Sequence, residues 1–206
     1  PLAGALAQME LLADQLNEPD DRSRSHRVLE ALRRLSLMLE KLLQLSRAEA
    51  GVGLSSTPVD LLALVKLLVE TFQRSHPTAM IELRPEPGLL GLVRAIDPDA
   101  FAIAFNNLLE NAARYGDAEQ PVTIAIFADG RITVTNAVSV PLDPDPNVYR
   151  ARFRRGHTSK PGAGLGLAIV EKLVAQMSGA MSLRTVVLPE GRTGFECELS
   201  LPPPKQ

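Results

Sequence analysis

The chain of 206 residues predicts an α+β fold: a helical hairpin over 1–51, then a mixed sheet with helices on one face over 52–206. Three observations carry this. Leucines in the first 51 residues recur at helical spacing with no strand-like alternation. Beyond residue 52, three helical stretches are separated by short alternating runs. Several of those runs are joined by turn signals of the kind that close antiparallel hairpins.

In the hairpin, Leu2, Leu6, Met9 and Leu12-Ala13 give the first helix one apolar face, with Leu16 following. Asn17-Glu18-Pro19-Asp20-Asp21 is a breaker cluster. The second helix is expected from about Arg22 to Ala50. Its residues Val28, Leu32, Leu35, Leu39 and Leu42 step by four and three, a coiled-coil-like seam that Leu29, Leu43 and Leu45 widen. One hairpin cannot bury both faces. Two hairpins in a four-helix bundle would, so a homodimer through residues 1–51 is expected, with packing against the chain's own second half as the alternative.

Gly51 and Gly53 end that helix. Val52 to Val59 is a short extended linker or strand. Asp60 to Ser75 is a leucine-rich helix that stops near Pro77. Met80 to Arg84 and Leu92 to Ile96 alternate like strands around a Pro85-Pro87-Gly88 turn. Asp97-Pro98 pairs an N-cap with proline at the first helical position and starts a helix that Gly116 ends. Val122 to Phe127 and Ile132 to Val138 form a hairpin over Ala128-Asp129-Gly130. Val140 to Gly162 is a long loop with four prolines and the basic cluster Arg150, Arg152, Arg154 and Arg155. A loop of that length in a compact domain is usually functional or mobile. A helix over Gly164 to Met177 follows. The strands Met181 to Leu188 and Thr193 to Leu201 close the domain, and Pro202 to Gln206 is a tail.

The formal net charge is -2, so nothing in the charge balance suggests a nucleic-acid binder. Cys197 is the single cysteine, so no internal disulfide forms, which fits a reducing compartment. Its alternation with Phe195 and Leu199 predicts a buried core thiol. The most apolar run, Leu61 to Val69, is broken by Lys66 and too short to span a bilayer. No signal peptide is visible. The chain opens at Pro1-Leu2 inside what reads as a helix, so it is taken as a fragment of a longer protein.

Two stretches carry chemistry. In the helix after Asp97, Phe101, Phe105, Leu108 and Ala112 form one apolar stripe, and Asn107, Asn111 and Arg114 follow the same rhythm one residue out of step. Asparagine is a poor helix-interior residue because its amide competes for the backbone. Two of them a turn apart, beside an arginine, suit a metal and a phosphate: carboxamide oxygens are hard ligands for Mg²⁺. The second stretch, Gly162-Ala163-Gly164-Leu165-Gly166-Leu167-Ala168-Ile169-Val170, passes from loop into helix. Its glycines allow close backbone approach to phosphate, and helix-start N–H groups supply positive potential. Alone, such a triplet is equally a packing turn. No strand leads directly into it, so it is not the dinucleotide fingerprint.

Taken together, the two stretches resemble a known family. Asn107-Leu108-Leu109-Glu110-Asn111-Ala112-Ala113-Arg114-Tyr115 resembles the N box of sensor histidine kinases, and Gly162 to Val170 resembles their G2 box. Phe153-Arg154-Arg155-Gly156 is similar to the F box. Thr193 and Phe195 match the closing strand pattern, and hairpin 1–51 resembles the dimerisation and histidine-phosphotransfer domain. The resemblance implies a two-layer α/β sandwich of the histidine kinase/Hsp90-like ATPase type, with ATP and Mg²⁺ as ligands. By position it implies that Asn111 ligates Mg²⁺, that Asn107 and Arg114 contact phosphates, and that Tyr115 lies against the nucleotide. Residues 139 to 163 would be the ATP lid, with Arg155 and Lys160 as phosphate contacts. Gly162, Gly164 and Gly166 would let that lid fold over the phosphates. Leu165, Leu167, Asn136 and Thr193 would complete the ATP site.

The resemblance further implies an ATP-dependent protein histidine kinase of a bacterial two-component system. A histidine upstream of Pro1 would be phosphorylated and would pass the group to an aspartate on a response-regulator receiver domain. That domain would dock near residues 9 to 16 and 24 to 40. The expected setting is the cytoplasmic part of an inner-membrane sensor, with membrane attachment only through segments upstream. Pro1-Leu2 matches the end of the family's His-Glu-x-x-Thr-Pro-Leu motif, which places the accepting histidine outside this chain. His26, His76 and His157 are expected to be surface or local-structure residues.

One departure keeps an alternative open. Where the family has an aspartate followed by glycines, this chain has Asn136-Ala137-Val138-Ser139-Val140. Asn136 keeps an acceptor oxygen for the adenine amine but loses the charge. The alternative is a phosphotransfer or phosphatase scaffold with a degenerate nucleotide site. The chaperone and mismatch-repair ATPases resemble the chain in the N box, but they need a carboxylate near position 107 to activate water, which Asn107 does not supply.

Overall fold

The computed structural model describes residues 2–15, 19–50, 56–139, 142–151 and 164–203. The chain forms two compact units, Pro1–Gln44 and Leu45–Gln206. In the first, α1 (Leu2–Gln15) lies alongside α2 (Pro19–Ala50), and Arg33 of α2 donates to Glu10 of α1 at 2.6 Å. The second helix begins three residues before the expected Arg22. Pro19 suits a first turn, where no N–H is required, and Asp20 and Asp21 complement the positive helix end. Ala13, Ser25 and Leu29 are buried, while Val28, Leu35, Leu39, Leu42 and Leu43 remain exposed. The helix stop expected at Gly51 and Gly53 lies outside the described residues.

The second unit is built on β1 (Thr57–Asp60), α3 (Leu61–Ser75), β2 (Ile81–Pro85), β3 (Val93–Ile96), α4 (Pro98–Tyr115), β4 (Val122–Ile126), β5 (Arg131–Ala137), α5 (Gly166–Gln176), β6 (Ala180–Val187) and β7 (Thr193–Ser200). A short 3-10 helix spans Pro146–Arg150. Five strands form a mixed sheet in the order β2-β4-β5-β7-β6. Only β2–β4 is parallel in it; the other pairs are antiparallel. Pro85, expected in a turn, ends the edge strand β2, a position that tolerates a residue with no N–H to donate. Strands β1 and β3 pair apart from this sheet as an antiparallel ribbon, a separation that local alternation could not reveal.

Alternation along the strands sorts the two sheet faces. Ile124, Ile126, Ile132, Val134, Cys197, Leu199, Met181 and Leu183 join one core with Phe101, Phe105, Leu108, Ile169 and Val170 from α4 and α5. On the opposite face, Arg184 donates to Glu196 at 2.8 Å and to Glu198 at 2.9 Å, and Thr135 donates to Glu196 at 3.0 Å. One face is thus apolar and covered by helices, and the other is a charged network facing water.

Two polar side chains tie the smaller pieces to this core. Asp60 caps α3: its Oδ1 accepts from the N–H groups of Leu62, Ala63 and Leu92 at 3.0, 3.3 and 3.2 Å. The bond from Leu92, helped by the other two, holds its carboxyl below the ordinary 3.8. Arg94 is buried and donates to the carbonyls of Leu201, Val93 and Ala128 at 3.2, 2.8 and 3.2 Å. It joins β3 to the β4–β5 turn and to the end of β7.

Candidate functional site

Helix α4 positions most of the polar residues singled out in the sequence. Asp97 caps it, accepting from Ala100 N–H at 2.8 Å, with Pro98 in the first turn. Burial of Phe101, Phe105, Leu108 and Ala112 fixes the helix about its axis. A residue one step out of phase is rotated by about 100°, so Asn111 and Arg114 come to the half-buried edge. Asn107 goes further in: it is buried, and its amide Nδ2 donates to the carbonyl of Ile103 at 2.8 Å.

The glycine-rich stretch arrives beside this edge. Gly164 has φ +65°, the left-handed region that glycine enters without steric cost. Leu165 is fully buried and anchors the turn at the N-cap position of α5. Its side chain is apolar and makes no cap hydrogen bond to the first N–H groups there. Gly166 opens the helix against Asn111: a Cβ on it would stand 3.0 Å from the carboxamide Nδ2 and 3.2 Å from Oδ1. Leu167 packs half-buried against the core.

At its other end α4 meets the sheet. Arg114 and Tyr115 are half-buried in the last turn. Gly116 ends the helix with φ -66°, so it is not the left-handed stop that helix-ending glycines often supply. Its role is close approach, since a side chain would collide with the Ala112 carbonyl and stand 3.3 Å from Asn136 Cβ. Asp117 N–H then donates to the Ala137 carbonyl at 2.9 Å. Asn136 is buried, pairs with Phe195, and donates Nδ2 to the Ala137 carbonyl at 3.2 Å. Val138 N–H bonds the Thr193 carbonyl at 3.0 Å, which sets the exposed Thr193 beside the end of β5.

The structure therefore brings Asn111, Gly164, Leu165, Gly166 and Leu167 together at one end of a track along α4. Tyr115, Asn136 and Thr193 gather near the other, and Arg114 lies on α4 between the two groups. Asn107 sits one turn behind Asn111. Arg155, Lys160 and Gly162, with the F-box stretch 153–156 and His157, lie outside the described residues.

The donor set is a carboxamide, a guanidinium and backbone N–H groups. It fits a phosphorylated ligand, with Asn111 offering a hard oxygen to a Mg²⁺ that keeps water and phosphate as its other ligands. Among the described residues no group of three or more His, Cys, Asp or Glu is placed to hold a metal ion.

The remaining candidates behave as local structure. His26 is exposed. His76 stacks on Phe72 with ring centroids 4.1 Å apart. Cys197 is buried in the sheet, and burial pushes its thiol up to about 12, so it stays protonated and unreactive. No helix among the described residues is long and apolar enough to cross a membrane.

Sequence reasoning missed the support behind the site. Tyr149 meets Phe195 edge-on with centroids 5.9 Å apart. Arg150 donates to Glu171 of α5 at 2.9 Å and to the Met181 carbonyl of β6 at 2.7 Å. Arg150 stood out only as one of four clustered arginines; nothing in the spacing links it to Glu171.

Residues 96–205 match the family described as histidine kinase-, DNA gyrase B-, and HSP90-like ATPase. The sensor protein VanS of Enterococcus faecium is 26% identical over 191 residues, a stretch covering 87% of this chain and 49% of VanS. A probable sensor histidine kinase of Mycobacterium tuberculosis is 34% identical over 182 residues, covering 86% of this chain and 46% of that protein. The chain thus spans about half the length of these relatives. The crystal structure of full-length ShkA in complex with AMPPNP superposes with a TM-score of 0.64 at 24% identity, over 99% of this chain and 44% of that one. At that identity the likeness is one of fold.

Proposed function

The chain belongs to the histidine kinase-, DNA gyrase B-, and HSP90-like ATPase family, and we propose that it is the kinase core of a two-component sensor histidine kinase that binds Mg-ATP. The observation that carries this is the start of α5. Its N-cap residue Leu165 makes no side-chain cap, and Gly166 lies so close to Asn111 that a Cβ would touch the carboxamide. A helix start whose own N-cap side chain is apolar, beside a hard oxygen donor, suits the charged end of a nucleotide.

In this reading the α5 N-terminus, Arg114 and Asn107 hold the phosphates, and Asn111 holds Mg²⁺. Tyr115, Asn136 and Thr193 lie toward the adenosine, and Arg155, Lys160 and Gly162 belong to the lid over 139–163. Bound Mg²⁺ would neutralise charge on the phosphate oxygens. The chain's own groups orient the γ-phosphoryl and stabilise its charge, which is most of what phosphoryl transfer requires. An imidazole nitrogen on the helical unit, upstream of Pro1, attacks the γ-phosphorus as the bond to the ADP oxygen breaks. An aspartate of a response-regulator receiver domain then takes the group. Residues 1–51 form the dimerisation and phosphotransfer part and 52–206 the catalytic part. The leucines of α2 meet those of a second copy, and the whole is the cytoplasmic portion of a bacterial inner-membrane sensor.

Calorimetric titration of Mg-ATP into this chain tests the reading. Saturable micromolar binding is expected, weakened at least tenfold in Asn111→Ala. Full-length protein carrying the upstream histidine should incorporate label from γ-labelled ATP. An absence of ATP binding would sink the proposal and favour the degenerate phosphotransfer or phosphatase scaffold. That second reading rests on the stretch Asn136-Ala137-Val138-Ser139-Val140, where the family has an aspartate followed by glycines.

A further inference from the structure

Between β5 and α5 the 3-10 helix Pro146–Arg150 lies outside the track along α4, and its last two side chains contact β7 on one side and α5 and β6 on the other. Tyr149 packs edge-on against Phe195, the residue paired with Asn136. The Tyr149 hydroxyl accepts from Asp143 N–H at 2.8 Å, which fixes the ring. Arg150 turns the other way. One guanidinium nitrogen donates to Glu171 on α5, five residues after Gly166; another donates to the Met181 carbonyl on β6.

These contacts do more than decorate a surface. The Arg150 Nε is shielded from solvent and has no hydrogen-bond partner among the described residues. A buried donor without a partner costs free energy, so this placement of the guanidinium depends on the two bonds that its other nitrogens make. A hollow of about 370 Å³, lined in part by Ala151, Ala168, Lys172 and Ala175, flanks the pair. Both bonds act on elements that locate the start of α5, since Glu171 rides on the helix itself and β6 follows it through a short turn.

We propose that Arg150 is a positioning residue: by bridging Glu171 and the Met181 carbonyl it fixes the axial position of α5, and so the placement of its first turn against the phosphates of the nucleotide. This rests on the reading that the site binds ATP. It assigns the phosphate end to Arg150 and leaves the adenosine end to Tyr149 and Phe195, so the two ends respond to different substitutions.

The test is calorimetry of ATP, ADP and adenosine, each with Mg²⁺, on wild type, Arg150→Met, Arg150→Lys and Glu171→Gln, with a thermal melt of each variant. Arg150→Met is expected to weaken ATP and ADP about five- to tenfold while adenosine changes less than twofold. Arg150→Lys, which retains the charge but not the two-armed reach, should recover only part. Glu171→Gln removes one arm from a part-exposed pair, so a loss of about two- to threefold for ATP is expected. It also decides the matter if Arg150→Met does not fold. ATP affinity within twofold of wild type in both Arg150→Met and Glu171→Gln would overturn the proposal. So would equal losses for ATP and adenosine, which a purely structural role predicts. Wild type that binds no ATP refutes the nucleotide reading first and this inference with it; wild type that binds ATP while the variants are unaffected refutes this inference alone.

Discussion

The stripe residues Phe101, Phe105, Leu108 and Ala112 of α4 are 0, 0, 2 and 4% exposed, whereas Val28, Leu35, Leu39 and Leu42 of α2 are 46, 51, 50 and 38% exposed. Both helices repeat apolar residues in steps of three and four. The difference lies in what the chain supplies to cover them. The stripe of α4 closes onto a core shared with β4, β5 and β7. In α2, Leu29 is buried while most of the seam faces outward. An apolar repeat therefore specifies a helix with a sticky face, and the cover comes from elsewhere. For α4 the cover is local to its unit. For α2 we assign it to a second copy of the chain, since a row of exposed leucines at coiled-coil spacing matches itself.

The largest effect should come from breaking the covered side. Phe105→Ala removes a fully buried ring stacked on Phe101 at 5.6 Å. It should cost about 3–5 kcal/mol of unfolding free energy, measured by denaturant titration. Leu39→Ala in the single chain should cost under about 1 kcal/mol, since half of that residue already faces water. Similar losses in the two variants would erase the contrast.

Next comes the uncovered side. A Leu35→Lys, Leu39→Lys double variant places two charges in the exposed seam. It should raise the dimer dissociation constant by at least about 100-fold in analytical ultracentrifugation, since each leucine buried is worth about 1.5–3 kcal/mol. A double variant that remains dimeric would remove α2 from the interface.

A smaller effect separates the polar edge of α4 from its apolar stripe. In Gly166→Ala the new methyl presses on the Asn111 carboxamide, which must shift by a few tenths of an ångström. Mg-ATP affinity should fall about tenfold while the melting temperature holds or rises, because alanine favours helix over glycine. Loss of stability together with binding would mean that Gly166 serves packing alone.

The smallest effect lies in α3, which is covered like α4 but has no polar row. Asp60→Asn keeps an acceptor at the cap but removes the negative charge facing the positive start of α3, which should cost about 0.3–1 kcal/mol. The Asp60 carboxyl has its pKa lowered in the folded state from 3.8, chiefly by the Leu92 N–H bond. A depressed carboxylate stabilises the fold above its unfolded pKa, and that contribution is lost as pH falls through the lower folded value. The gap between wild type and variant should be full above about pH 4 and close at lower pH. A gap that widened on acidification would contradict that assignment.

Much of this was legible from short-range pattern. Asp97-Pro98, the Phe101 to Ala112 stripe and the out-of-phase Asn111 and Arg114 all lie within one helix, where 3.6-residue geometry dictates which side chains share a face. The glycines at 164 and 166 announce a backbone approach without saying to what; Asn111 answers only once α4 and α5 pack. Gly116 stops the helix as expected, but what requires a glycine there is the close approach of Asn136 rather than a left-handed turn. Pro19 looked like a breaker and turned out to sit in a first turn, because proline is punished only where an N–H is needed.

The sequence by itself determined the helices, their caps, the apolar stripes and the polar row. Each depends on residues within a turn or two of one another, and local sterics and hydrogen bonding settle them. Only the tertiary structure decided that β1 and β3 pair apart from the main sheet, that β2 runs parallel to β4, and that Arg150 meets Glu171 across 21 positions. Those outcomes depend on which surfaces of the whole chain fit one another. Nothing within a turn of any of these residues carries that information.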